Sequence, residues 1–163
     1  MVKTNAMRLL TQAKIPFRCA EYAYDENDLS GCKAAAAIGM PAEQVFKTLV
    51  AQGASHNIYV FCIPVCCELD LKKAAKASGE KNIHLVLVRE LLELTGYIRG
   101  GCSPIGMKKA YPTFIDETAE LFPEIGISAG TRGQQILLDP EALIAYTDMT
   151  ICDLTADSNN SEE

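Results

Sequence analysis

The chain has 163 residues, 48% hydrophobic and 22% charged, the balance of one globular domain and not of a disordered polymer. Its longest apolar run, Ile58–Cys67, is far short of the ~20 residues a membrane span requires. Lys3, Arg8, Lys14 and Arg18 are spread through an N-terminus with no apolar block, which argues against a secretory signal and for a cytoplasmic protein. The net charge is −6. Four of the 21 acids (Asp153, Asp157, Glu162 and Glu163) fall in the last eleven residues, leaving 17 acids against 15 bases, a body near −2. Such a body lacks the overall basicity of an autonomous nucleic-acid binder. Residues 1–152 therefore read as a single domain and 153–163 as an acidic, frayed tail.

In chain order, Ala6, Leu9, Leu10 and Ala13 recur at helical spacing behind a Thr4 cap and predict a first helix that Pro16 ends. Phe17–Tyr24 reads as a strand and Tyr24–Asp28 as a polar loop. Lys33–Ile38 is an alanine-rich helix stopped by Gly39, and Pro41 opens a further turn. Lys47–Ala51 and Ile58–Val65 predict two strands joined by the hairpin-length loop Gln52–Asn57. Glu68–Ser78 predicts a helix stopped by Gly79, Ile83–Val88 a strand, and Glu90–Leu94 a short helix closed by Thr95-Gly96. A glycine-rich loop runs from Tyr97 to Gly106. Tyr111–Ile115 reads as a strand, Glu117–Phe122 as a helical turn, and Ile125–Ser128 and Gln135–Leu138 as strands. Asp139-Pro140-Glu141 starts a last helix reaching about Tyr146. Helices and strands mix without a steady βαβ alternation, so the expected class is α+β, a mixed and largely antiparallel sheet surrounded by helices.

Familiar chemistries are largely missing. The seven cysteines include Cys62-x3-Cys66-Cys67, which lacks the spaced pairs of a zinc site, and only His56 and His84 could assist. Neither histidine stands where a Ser-His-Asp base is expected: His56 is in the hairpin loop and His84 in a strand that reads as buried. Gly101-x4-Gly106 resembles a P-loop start, but Met107-Lys108-Lys109 follows in place of the required Lys-Ser/Thr. Cys102 in that loop is a conceivable nucleophile with no evident base beside it.

Three constellations remain. The loop around Arg99-Gly100-Gly101-Cys102-Ser103-Pro104 removes side-chain bulk and can bring its own N–H and C=O groups against a ligand; it can equally be an ordinary long turn. Lys47, inside the apolar strand Val45–Val50, either faces solvent by alternation or delivers a positive charge to a cleft. Ser128-Ala-Gly-Thr-Arg-Gly133 is either a tight turn with a solvated Arg132 or a fork-shaped donor for phosphate or carboxylate.

Taken together, four ordered pieces resemble the YbaK family: Gln44-Val-Phe-Lys-Thr-Leu49; Pro64 before Leu69–Lys76; Thr95-Gly-Tyr-x-x-Gly-Gly-x-Ser-Pro-x-Gly106; and Ser128-x-Gly-x-Arg-Gly133. These are bacterial aminoacyl-tRNA deacylases related to the editing domain of prolyl-tRNA synthetases. The resemblance runs from about Ala6 to Asp148. It implies the YbaK/prolyl-tRNA synthetase editing-domain fold, no metal, no other cofactor, and clearance of mischarged Cys-tRNA(Pro) in the cytoplasm. In the implied mechanism the substrate's own thiol attacks its ester carbonyl, so the enzyme supplies no nucleophile. By the same resemblance Lys47 and Gly100 are the catalytic positions. Lys47 would stabilise developing negative charge, while Gly100 and Gly101 would grip the amino group and carbonyl through their backbone. Tyr22 and Ser103 would line the pocket, and Arg132, with Arg99, Lys108 and Lys109, would meet the RNA. Prolyl-tRNA synthetase is the implied partner. Thr131 stands where relatives usually carry Lys, Gln135 where some carry an acid, and Tyr24 where His often precedes the loop Asp. The rival readings are an Ala-tRNA(Pro) deacylase and a non-catalytic binding module of the same fold.

Overall fold

The computed structural model describes residues 3–156. The expected class is the one observed, with the strands divided between two sheets. In chain order the elements are α1 (Asn5–Gln12), β1 (Arg18–Glu21), α2 (Gly31–Ile38), β2 (Phe46–Gly53), β3 (Ile58–Pro64), α3 (Leu71–Ser78), β4 (Ile83–Leu85), α4 (Val88–Thr95), β5 (Thr113–Asp116), β6 (Ile125–Ser128), β7 (Gln134–Leu138), α5 (Pro140–Thr147) and β8 (Thr150–Cys152). A three-stranded sheet has the order β1-β7-β6 and a five-stranded sheet the order β4-β2-β3-β5-β8. Four pairings are antiparallel. The parallel pairs β3–β5 and β5–β8 follow long crossovers, which parallel neighbours need.

Local chemistry sets most boundaries. Thr4, Ser30, Asp70 and Asp139 each accept hydrogen bonds from first-turn N–H groups of α1, α2, α3 and α5. Gly39, Gly79 and Gly96 close α2, α3 and α4 at φ of 73°, 77° and 86°. The differences from expectation also have reasons. The strand predicted over 17–24 is regular only to Glu21, because after Tyr22 N donates to Gly133 O the chain turns back at Asp25. The strand predicted over 83–88 gives way at Leu87, whose N–H donates to Glu90 Oε1 and starts α4. His84 is exposed on that short edge strand, not buried.

Two apolar layers hold the assembly. One packs Leu10, Phe46, Ile115, Ile127, Ile136 and Leu143 between the two sheets and helices α1 and α5. The other packs α3 through Ala74 and Ala75 onto Phe61, Ile63 and Phe114. Leu154 belongs to this second layer and is fully buried. The expected frayed tail therefore needs correction over its first residues. Leu154 N donates to Asp116 Oδ1, Leu154 O accepts from Asp70 N, and Lys73 Nζ lies 2.9 Å from Asp153 Oδ2. Burial of an apolar side chain and these bonds tie 153–156 to the domain; residues 157–163 lie outside the described residues.

Candidate active site

β4 pairs only with residues 51–53 of β2. Along the stretch of β2 that precedes them, a cavity of about 580 Å³ opens between the two sheets. Its walls come from Val45–Val50, the start of α2, the Leu85–Val88 segment, the glycine loop, and Ser128 and Gln135 of the smaller sheet. A cleft where sheets diverge is an ordinary place for a ligand site.

Lys47 lies on this cavity, half-buried, and has no carboxylate partner among the described residues. Its positive charge reaches the Cys67 thiol, where it opposes the upward push of burial and of neighbouring Cys66. Tyr22, just past the end of β1, also borders the cavity, as does Gly100. The structure thus brings together three of the six residues expected at the site.

The other three have different surroundings. Ser103 is fully buried and its Oγ accepts from Ile105 N at 3.3 Å, so it braces its own loop and does not border the cavity. Gly101 is packed against the second glycine turn: a Cβ there would stand 3.1 Å from Thr131 Cα and 3.2 Å from Arg132 N. Glycine is needed at 101 because a side chain there would press on neighbouring backbone. Arg132 donates from Nε to Arg99 O at 2.9 Å and borders an adjoining hollow.

The glycine loop is held firmly for a segment without regular structure. Tyr97 Oη donates to Ile105 O, Tyr97 N donates to Thr95 Oγ1, and Gly101 N donates to Ile98 O. The Tyr97 ring packs on Gly130, where a Cβ would meet Cε1 at 3.0 Å. The two glycine turns therefore form one unit, with Gly100 at φ 86° presenting its backbone at the cavity.

Electrostatics limit what the cavity can do by itself. Cys102 is the thiol on its wall, and burial pushes it up to about 12, so it stays protonated near neutrality. Neither histidine borders the cavity. Gln135 is 6% exposed, and its Oε1 accepts no hydrogen bond from the described residues. A buried acceptor left unpaired costs free energy, on the order of 1–3 kcal/mol, that an N–H donor on a ligand would recover. The first turn of α2, with its positive dipole end, contributes Ser30 and Gly31. Sequence reading passed over Leu29, Gly31 and the Leu85–Val88 wall. Apolar residues of that kind carry no chemical signature, and only their placement makes them walls. No three His, Cys, Asp or Glu side chains among the described residues gather as a metal-ligand cluster.

Comparison with known proteins adds three findings. A family model for the aminoacyl-tRNA editing domain matches residues 29–146. A protein of Enterococcus faecalis named "Putative Cys-tRNA(Pro)/Cys-tRNA(Cys) deacylase EbsC" is 46% identical over 153 residues, covering 94% of this chain and 93% of that one. A crystal structure described as "a putative trans-editing enzyme for prolyl tRNA synthetase" superposes with a TM-score of 0.80 at 27% identity, over 93% of each chain.

Proposed function

The chain belongs to the aminoacyl-tRNA editing domain family, of YbaK type, and on that premise we propose that it removes cysteine from mischarged Cys-tRNA(Pro), acting in the cytoplasm in trans to prolyl-tRNA synthetase. The observation that carries the reading is the cavity's chemistry: an uncompensated lysine and glycine backbone on its walls, with a thiol pushed up to about 12 and no histidine to act as a base. A site of this kind positions and stabilises; it does not supply a nucleophile.

The reaction suits such a site. The substrate's side-chain sulfur attacks the carbonyl carbon of its own ester, forming a C–S bond and a tetrahedral oxyanion. Collapse breaks the C–O bond to the terminal ribose. The ribose hydroxyl keeps the proton that the thiol gave up, and the amino acid leaves as a cyclic thiolactone. By this product the step is a lyase-type release; water then opens the thiolactone. Lys47 faces the developing oxyanion or the ribose oxygens, an electrostatic contribution of the kind worth ~3–4 kcal/mol when a single donor is removed. Backbone groups at Gly100 hold the aminoacyl group, Tyr22 walls it, and Gln135 Oε1 accepts from the α-ammonium. Holding the thiol against the carbonyl lowers the barrier through orientation.

The test is deacylation of Cys-tRNA(Pro), Cys-tRNA(Cys), Ala-tRNA(Pro) and Ser-tRNA(Pro) by the wild type and by Lys47→Ala. Expected is rapid loss of cysteine, retention of serine, and a fall of about 10²–10³-fold in kcat for the variant at an unchanged melting temperature. Loss of alanine from Ala-tRNA(Pro) would show catalysis without a substrate thiol and overturn the mechanism. Turnover of none of them would leave a binding module. Comparing the two cysteine substrates tells whether tRNA identity is read by the domain.

A further inference from the structure

The chemistry proposed above uses none of the seven cysteines, and two of them meet at one turn. β3 ends at Pro64, and the chain folds back through Val65, Cys66 and Cys67, with Cys67 N donating to Pro64 O at 3.0 Å. Cys66 Sγ and Cys67 Sγ stand 3.8 Å apart, in van der Waals contact. Cys66 is exposed and Cys67 partly buried.

The same turn is a joint of the main cavity, which Val65, Val45 and Gly31 all line. Val65 N donates to Val45 O at 2.8 Å, and a Cβ at Gly31 would stand 2.3 Å from Val65 Cγ1, so α2 and the turn are pressed together without slack. Cys32, on the first turn of α2, touches it as well, with Sγ 3.5 Å from Val65 O. The charge of Lys47 is felt at the Cys67 thiol. A change of shape at residues 66 and 67 therefore passes to the cavity wall through Val65.

We propose that Cys66 and Cys67 are a modification site: a low-molecular-weight disulfide, of the glutathione or cystine class, oxidises the pair to a disulfide between neighbours, and that bond slows editing by displacing the Val65 wall. The effect on editing rests on the reading of the protein as an aminoacyl-tRNA deacylase; the chemistry of the pair does not. The Cys66 sulfur attacks one sulfur of the small disulfide, forms a mixed disulfide and releases one small thiol. The Cys67 sulfur then displaces the second and closes the Cys66–Cys67 bond. The protein thiols give up two electrons and two protons, and the small disulfide takes up both and leaves as two thiols. Burial pushes the Cys67 thiol up to about 11, which leaves exposed Cys66 to meet the oxidant first.

Bond closure carries a mechanical consequence. The sulfurs must approach to about 2.05 Å, which turns the Cys66–Cys67 peptide and draws Cys67 N away from Pro64 O. Adjacent Cα atoms are about 3.8 Å apart, under the roughly 4.4–6.8 Å of most disulfides, so the ring is strained and a small thiol reopens it. An oxidised thiol pool holds free cysteine as its disulfide, so less cysteine reaches tRNA under the conditions that close the bond.

The test incubates reduced protein with glutathione disulfide, removes the reagent, alkylates and maps one portion by mass spectrometry, and measures Cys-tRNA(Pro) deacylation on the other. Expected is a peptide that has lost two hydrogens and whose Cys66 and Cys67 resist alkylation. With it, kcat/KM falls about tenfold or more, as displacement of a site wall entails, and a small thiol restores it. Cys67→Ser is expected to stop at a glutathione adduct on Cys66, and Cys66→Ser to form no bond and keep its rate after the same treatment. Absence of the bond, a bond from Cys66 to Cys32, or a bond that leaves the wild-type rate unchanged overturns the inference. So does an equal loss of rate in Cys66→Ser, which would place the sensitive thiol elsewhere. A protein that forms the bond reversibly but deacylates nothing when reduced would sink the deacylase reading and leave the modification site standing.

Discussion

A lysine inside an apolar strand has two physical outcomes, a solvated ammonium or a charge held over a cleft, and Lys47 takes the second because β4 leaves its part of β2 uncovered. The same dependence on surroundings decides the thiols. Cys102 shares the cavity wall with Lys47, but burial keeps its thiol protonated. Cys102→Ala is therefore expected to retain its deacylation rate. Alkylation of the native protein at neutral pH should label exposed Cys32 and Cys66 and spare Cys102; loss of turnover in the alanine variant would make that thiol a nucleophile. At Gly101 the added methyl of alanine meets the Thr131–Arg132 backbone, which cannot swing away as a side chain would. Gly101→Ala is expected to cost about 1–3 kcal/mol in a urea titration and to lower kcat/KM, since the two glycine turns move as one. Motif spacing singled out Lys47 and Gly100, and the end of the first strand Tyr22, and all three border the cavity. Ser103 does not border it, because a hydroxyl in a glycine loop serves a ligand or its own backbone equally well, and here it serves Ile105 N.

Elements that announce themselves by caps and stops were the ones read best. Asp70, Asp139, Gly39 and Gly79 stand where a helix must begin or end, since orphan N–H and C=O groups need partners whatever the tertiary context. β8 was invisible: Thr150–Cys152 is too short to show alternation, and its extended form comes from parallel pairing with β5. The β2–β3 hairpin shows an element held by a distant residue. Glu80, just past α3, accepts from Ser55 N at 3.1 Å, from Ser55 Oγ, and from Tyr59 Oη at 2.5 Å. Those hydrogen bonds, Ser55 first, hold the Glu80 carboxyl below its usual range. A depressed carboxylate stabilises the fold above its unfolded pKa, and that contribution is lost as pH falls through the lower folded value. Wild-type stability should thus drop in acid below the ordinary Glu value of about 4.3. Glu80→Gln should be less stable at neutral pH and show less of that acid loss. Equal acid sensitivity of the two proteins in thermal melts would remove Glu80 from the account.

At the scale of the molecule, the chain's last described residues close the five-stranded sheet and its helix layer. Leu154 is fully buried against the α3 layer, and Leu154→Ala is expected to cost about 2–5 kcal/mol in denaturant titration; a cost near zero would mean the segment is only laid on the surface. Charge is the other global property. The body is close to neutral, so under the proposed function the RNA is met by local bases, of which Arg99 and Arg132 border the cavity and the hollow beside it. Neutralising roughly three phosphates gives a log–log dependence of kcat/KM on salt with a slope of about −2. A slope of about −5 or steeper would indicate contact with the body of the tRNA.

What the sequence by itself determined is the local and the repetitive: helix ends, turn glycines, the α+β class and the order of motifs that marks an aminoacyl-tRNA editing domain. Each of these rests on interactions within a few residues, or on a pattern that survives without coordinates. Tertiary structure alone decided that the strands divide into two sheets, that the cavity opens where β4 stops, that Gly101 packs on the Thr131–Arg132 backbone, and that Asp153–Ala156 are held to the domain. Those outcomes depend on which surfaces face one another across long stretches of chain, and no spacing within a strand or loop records that.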